Sequence, residues 1–481
     1  SSFWTINWQE ISRDYLSTPN KSIVIGCYKD ASSIATVIAE KSLAGLDHAL
    51  LYVPPHPNET QIEIRKSLTA NYNSSLVNYL GFVLDEYNMI WHSWKTLRRQ
   101  PKTYVQPMSK IGGNYVVCGS GPSLDNSIDE IKRLSYSHII VACASNYGTL
   151  RANGIEVDIL VLLERGDFNV NDYRQVVDLY GSGKTRLFAA VSCPEGLLDL
   201  FNDPVVYFRP ALSPLAIFSN SPMEVLYFEG PQTINTGVAL CAALKADRVI
   251  LVGVDLGVRD RSKPRSSQAA GVSPRTFDLE VPANFGGTAF TDRFLKDGKL
   301  AVETCIRVSP DTNFYNASDG VMIEGAQTIT LPDYIELSLL DAADDLPSRD
   351  KLWSWWSGLS QYDIQRFRAS WQSRRPRQSI AECIRALKNL YGGSAPWFPS
   401  VLQESTSLLS LDVSTSQQFP RRMVRSAIHK LTLAITRQFY VMGRRPEMRL
   451  QFGAKARAIM VNLLDLLEKE LYQLCDELES L

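Results

Sequence analysis

The sequence predicts a doubly wound α/β fold, with a mostly parallel sheet in a central domain, a small α/β segment before it and a helical region after it. Six short apolar runs carry the expectation: YVVCG (115–119), SHIIVAC (137–143), VDILVLL (157–163), RLFAAV (186–191), VVYF (205–208) and RVILVGVD (248–255). Near-continuous apolar runs are what strands covered on both faces require, and helical patterns alternate with them, which favours parallel crossover connections. In such sheets ligands sit beyond the carboxyl ends of the strands, so the residues that follow each run are the ones to read for function.

The flanking regions follow from the same periodicity argument. Residues 1–105 hold two apolar strands, KSIVIGCY (21–28) and HALLYVPP (48–55), then a helical stretch in which Leu76, Leu80, Val83, Leu84, Tyr87, Ile90 and Trp91 recur at helical spacing. The central domain is expected over 106–340. The charged, Pro-containing stretch DAADDLPSRD (341–350) marks a linker, and helices dominate from 341 to 481. There Val424, Ile428, Leu431, Ile435, Phe439 and Met442 form one apolar stripe, and Met460, Leu463, Leu467, Leu471, Leu474 and Leu478 form another.

Composition excludes several classes. At 481 residues and 45% hydrophobic the chain supports two or three cores. A balance of 50 Lys+Arg against 51 Asp+Glu gives no electrostatic footprint for a nucleic-acid binder. No apolar run reaches the roughly 18 residues of a membrane span, and the start SSFWTINWQE lacks a secretory pattern, so a cytoplasmic protein is expected. The chain opens on Ser and not Met, which leaves room for an upstream segment. Its eight scattered cysteines contain no CxxC pair, which favours reduced, buried thiols over a metal site.

The strongest local motif is VVCGSGPSLD (116–125), a strand running into Gly119, Ser120, Gly121, Pro122 and Ser123 and then a helix. Glycines at such a turn let backbone N–H groups approach an anion beside a helix start, although the same turn serves equally as a tight connection. A nicotinamide site is disfavoured, because the next strand ends in Ala144, Ser145 and Asn146 and not in an acidic residue for a ribose. Asn146, Glu164 with Arg165, and Asp255 follow the second, third and last strands. Thr236 and Gly237, in TINTG (233–237), open an apolar helix. Each has a simpler employment as a cap, an ion pair or a core acceptor; convergence on one sheet edge is what raises the functional reading. Trp353, Trp355, Trp356 and Trp371 read as a packed junction between domains.

Taken in order, GSGPSLD, ASNYGTLRANG, QTINTGVALCAALKADRVILVGVDLG, FGGTAFTDRF and YNASDGVMIEGA resemble the central domain of motility accessory factors, bacterial flagellin-glycosylating proteins. The resemblance covers about 112–335 and extends to bacterial sialyltransferases. It implies a Rossmann-like domain that transfers a nonulosonic acid, of sialic, pseudaminic or legionaminic type, from its CMP donor to Ser or Thr hydroxyls of a protein acceptor such as flagellin. It further implies that Gly119, Ser120, Gly121, Pro122 and Ser123 lie against the donor, that Asn146, Thr236 and Gly237 contact donor groups, and that the loop with Asn316 and Ser318 stands beside it. No tightly bound cofactor is expected, and no carboxylate pair for Mg²⁺ is indicated. The N-terminal region is short for the family. The same superfamily includes hydroxymethylpterin pyrophosphokinases, which makes diphosphate transfer a second reading, and a non-catalytic flagellin-binding protein is a third.

Transfer from a CMP-sugar needs a group to take the acceptor proton as the anomeric carbon develops oxocarbenium character. The related sialyltransferases use a histidine after the strand that corresponds to RVILVGVD. Here the histidine of the 106–340 region is His138, at the start of its strand and on the wrong edge. Glu164, Asp255, Asp260 and Asp292 remain as candidate bases, and the basic loop Arg259 to Arg265 as a candidate for the sugar carboxylate.

Overall fold

A computed structural model describes Ile62 and residues 83–210, 212–269, 275–340, 346–393, 401–411, 413–441 and 446–480. The strands expected at 21–28 and 48–55, the helical run before Val83, Cys27 and the start of the stretch at 341 lie outside the described residues. The chain divides into two compact units: Asn88–Ser370, and a second that holds the described residues up to Tyr87 and from Trp371 on.

The first unit is a doubly wound sheet. Its strands are β1 (Lys102–Thr103), β2 (Asn114–Cys118), β3 (Ile139–Cys143), β4 (Ile159–Leu162), β5 (Arg186–Ala190), β6 (Asn202–Tyr207), β7 (Arg248–Val252), β10 (Asn313–Asn316) and β11 (Gln327–Thr328). They lie in the order β1-β6-β5-β4-β3-β2-β7-β10-β11, and every neighbouring pair is parallel. A separate antiparallel hairpin pairs β8 (Leu279–Pro282) with β9 (Thr288–Thr291). The six apolar runs are β2 to β7. Val116, Val117, Ile140, Val141, Leu160, Val161, Ile250 and Leu251 are fully buried, each contributing about 1.5–3 kcal/mol to the core.

The winding positions the site. From β2 the chain steps outward through β3, β4, β5 and β6, then returns to lay β7 on the other side of β2. In a doubly wound sheet such a reversal is where a ligand crevice is expected, beyond the carboxyl ends of β2 and β7. The returning helix, α6 (Thr233–Ala243), descends from this edge across β2 and β3. At Gly237 the helix lies close against the sheet: a Cβ there would meet Cys143 Sγ at 2.8 Å and Val117 Cγ1 at 3.0 Å. Gly237, expected at the donor, therefore serves helix–sheet packing.

The other helices of the unit are α1 (Val83–Arg98), which runs in from the second unit, α2 (Ile128–Leu134), α3 (Tyr147–Ala152), α4 (Phe168–Tyr180), α5 (Ser213–Phe218), α7 (Arg293–Arg307), α8 (Leu331–Leu340), α9 (Leu346–Gly358) and most of α10 (Ile364–Ser373). Helices past position 341 thus pack with the sheet. On α9, Trp356 is fully buried, its Nε1 donates to Asp203 O at 2.9 Å, and its ring meets Phe188. Trp355 packs edge-on to Tyr104, while Trp371 lies in the second unit against Phe419. The four tryptophans are two separate contacts and not one cluster.

The second unit is helical: α11 (Pro376–Gly392), α12 (Leu402–Leu408), α13 (Thr415–Val441) and α14 (Pro446–Glu479). Val424 and Ile428 on α13 and Met460, Leu471, Leu474 and Leu478 on α14 are buried as the stripes predict, whereas Leu463 and Leu467 are half-buried and Leu464 takes the buried place between them. No described helix is long and apolar enough to cross a membrane. The described cysteines are free, and all but Cys383 are buried.

Candidate functional site at the strand reversal

Two glycines shape the crevice. Gly119 N–H donates to Val252 O and Gly121 N–H to Gly253 O, both at 2.8 Å, so the chain leaving β2 runs against the end of β7. A Cβ on Gly119 would overlap the Gly253 carbonyl, and one on Gly121 would overlap the Asp255 carboxylate. The sequence suggested that these N–H groups face an anion; they are instead spent on the neighbouring strand end. Pro122 then opens a single 3-10 turn (Pro122–Asn126), and Ser123 donates to Asp255 Oδ2 through Oγ at 2.8 Å and N–H at 3.3 Å. Asp255 is almost wholly buried, and burial pushes its carboxyl up to about 7; the Ser123 bonds work against that rise and the charge on Asp319 adds to it.

The polar groups that remain face β3. After Cys143 the chain passes through Ala144 at φ +56°, a left-handed conformation that costs a non-glycine residue about 1 kcal/mol or more. This turn aims Ser145 back toward the crevice, where its Oγ is hydrogen-bonded to Ser120 Oγ at 2.8 Å. The loop after β7 folds over the same place: Ser266 N–H donates to Ser120 O at 3.1 Å, and Ser267 N–H to Asp125. It carries the half-buried Arg265, whose Nη2 donates to Ser145 Oγ. Burial lowers the Arg265 pKa and the charge of Arg275 lowers it further, yet a guanidinium stays protonated. Two hydroxyls beneath a partly desolvated cation form an arrangement that favours a bound anion. Arg259, at the head of the loop, is paired with Asp319 at 3.0 Å.

Asn146 is fully buried. Its Nδ2 donates to Cys118 O, while Oδ1 has no hydrogen-bond partner among the described residues. An unpaired buried acceptor costs roughly 1–3 kcal/mol, which a ligand N–H or O–H would relieve.

Gly119, Asn146, Glu164 and Thr236 do share one sheet edge, since three follow parallel strands and α6 begins there. Thr236, however, is not at the helix start. The helix begins at Thr233, and Thr236 Oγ1 is buried in its first turns, donating to Glu229 O at 2.8 Å and 3.2 Å from Tyr207 Oη. Among the candidate bases, Asp292 caps α7 through Leu295 N–H and pairs with Arg275, both at 2.8 Å. Asp260 is an exposed turn acceptor for Ser262, whose bonds lower its pKa. Glu164 is exposed after β4. Ser318 Oγ accepts Val254 N–H at 2.8 Å, and Asn316 Oδ1 accepts Ser318 N–H at 3.0 Å, so both brace the end of β7. Asn316 Nδ2 is buried without a hydrogen-bond partner among the described residues.

His138 is at the amino edge, as expected, between Ser137 and Tyr334, with burial pushing its pKa down to about 4. Lys184, in the turn before β5, is at that edge too, 3.1 Å from Asp158.

A sequence model of the family described as 6-hydroxymethylpterin diphosphokinase MptE-like matches residues 88–261, a span that starts where the sheet unit starts. Among solved structures, a Maf glycosyltransferase from Magnetospirillum magneticum AMB-1 is similar, with a TM-score of 0.71 at 24% identity over 94% of this chain and 69% of that one. The chain shares the fold of a Maf glycosyltransferase. No curated protein matches it in sequence.

His92 escaped the sequence reading, because α1 was assigned to the segment before the central domain. The structure places Asn88 onward in the sheet unit and sets His92 beside the loop after β4, its Nε2 3.9 Å from Asp167 Oδ1. The Glu164–Arg165 strand end and the helical run through Trp91 were each legible; that the two meet was not.

Proposed function

We propose that the chain is a glycosyltransferase that moves a nonulosonic acid from its CMP donor to Ser or Thr hydroxyls of a protein acceptor such as flagellin. The observation that carries this reading is the cradle at the strand reversal, where Arg265 donates to the Ser145 hydroxyl, Ser145 is hydrogen-bonded in turn to Ser120, and the next residue in the chain, Asn146, has an unpaired Oδ1 among the described residues. The cradle suits a single phosphate or carboxylate, and Asn146 suits a ribose hydroxyl or a base amino group. Glycosyl transfer is also the activity named for the similar Maf protein. Asp255 holds the Gly-rich turn in register through Ser123, while the donor's anionic group lies on Arg265.

The match to the MptE-like family supports a second reading, diphosphate transfer from ATP to a pterin. The two differ in the nucleotide they take. CMP is expected to raise the melting temperature of the full chain more than ATP with Mg²⁺ does, by linkage of binding to folding. The reverse order, with diphosphate transfer to a hydroxymethylpterin, would replace the transferase reading.

Asn146→Ala is expected to weaken CMP binding by about 5- to 150-fold, the equivalent of roughly 1–3 kcal/mol for a ligand bond to a buried group. Thr236→Val, by contrast, is expected to leave CMP affinity alone and to lower stability, because its hydroxyl serves Glu229 O. Calorimetry and melting curves on both variants separate the two residues; equal CMP affinity in Asn146→Ala and wild type would place the nucleotide elsewhere.

A further inference from the structure

A transferase of this kind needs a group that accepts a proton beside the cradle, and the carboxyl ends of the strands limit where it can stand. On the β7 side the edge is closed: the Gly320 backbone lies against Asp255, and Ser318 takes the Val254 N–H. On the other side the strand ends run β2, β3, β4, with Glu164 exposed and the Asp167 side chain 82% exposed after β4. A donor anchored by its phosphate between β2 and β3 therefore extends toward β4. Two strand spacings, about 10 Å, separate the Gly-rich turn from the β4 loop, a span comparable to that from a nucleotide phosphate to the far side of its sugar.

His92 meets that loop. It is 8% exposed, on the face of α1 whose neighbour Met89 accepts an Arg165 contact through its sulfur at 3.8 Å, and whose Thr96 donates to Cys193 O at 3.0 Å. The charged groups around it are Asp167 and Arg165 from the β4 loop, Glu195 from the turn after β5, and Lys95 on its own helix.

We propose that His92, steadied by Asp167, takes the proton of the acceptor hydroxyl. The acceptor oxygen forms its bond to the anomeric carbon, the bond from that carbon to the phosphate oxygen breaks, CMP leaves with the electron pair, and the proton ends on the imidazole beside Asp167. Burial lowers the pKa of the imidazole and Asp167 offsets part of the fall, a balance that favours the uncharged, proton-accepting ring. The assignment depends on the transferase reading above.

The test follows the full chain by two routes. CMP release from CMP-N-acetylneuraminate, with unglycosylated flagellin as acceptor, is expected to lose about 100-fold or more in kcat in His92→Gln, with the donor KM within about twofold and partial rescue by added imidazole. Separately, nitrogen-15 NMR of the His92 ring, identified by its loss in His92→Gln, should show a titration below 6.5 that falls further in Asp167→Asn and rises by about 0.3 to 1 unit when CMP fills the cradle. Asp167→Asn, an exposed change, keeps the test independent of folding. A ring pKa indifferent to both Asp167→Asn and bound CMP, or a His92→Gln kcat within threefold of wild type, overturns the proposal. A wild-type chain that binds no CMP by calorimetry would sink the transferase reading itself.

Discussion

Gly121→Ala is expected to lower the stability of the sheet unit by about 3 kcal/mol or more and to abolish nucleotide binding. The added methyl would overlap the Asp255 carboxylate, and neither partner has room to move. Asp255 is buried, tied on one oxygen to Ser123, and backed by the Gly320 backbone, which already lies against its main chain. Displacing the turn would instead break the Gly121 N–H bond to Gly253 O and separate β2 from β7 at the crevice. Gly358→Ala is the control, since a Cβ there meets nothing within 4 Å. Melting curves of the two variants decide the matter, and a Gly121→Ala protein that melts with wild type would mean that the crevice walls are not held as tightly as these contacts require.

Asp255→Asn is expected to remove a pH dependence that wild type shows between about pH 4 and 7. The Asp255 carboxyl is pushed up to about 7 in the fold, above its ordinary value of 3.8. The native state therefore binds more protons than the unfolded chain within that window, and this group's contribution to stability is lost as pH rises through it, by up to about 4 kcal/mol. His138 works the other way. Its pKa is pushed down to about 4, so protonation as pH falls from 6.5 opposes the neutral buried ring and stability declines toward acid. The two effects overlap in wild type, and the difference between wild type and Asp255→Asn isolates the carboxyl. Midpoints of urea unfolding from pH 4 to 8 should converge at low pH, with the variant the more stable by pH 8, because an amide keeps an acceptor for Ser123 without a buried charge. Parallel curves across the whole range would contradict a buried carboxyl at this position.

How much of this was legible in the chain depends on how local each signal is. β2 to β7 announce themselves because each is buried on both faces, which writes an uninterrupted apolar run. β1 and β11 span two residues each, and both residues of β11 are exposed, so no pattern marks them. GSGPS was legible as a turn and Asp255 as a strand end. That one needs the other was not, because Cys118 pairs with Val252 across a separation no local pattern encodes.

The sequence by itself determined the parallel sheet, the sheet edge that carries the polar strand ends, and the amphipathic seams of the last two helices; burial imposes a period on neighbouring residues, and a period can be read. Tertiary structure alone decided which polar groups at that edge are already satisfied. It spent the Gly119 and Gly121 N–H groups on β7, turned Thr236 inward to Glu229 and gave Asp292 to a helix start. It also folded Arg265 back over Ser145 and brought His92 to Asp167 from outside the expected domain. A side chain's availability depends on the partners the fold sets beside it, and those partners come from distant parts of the chain.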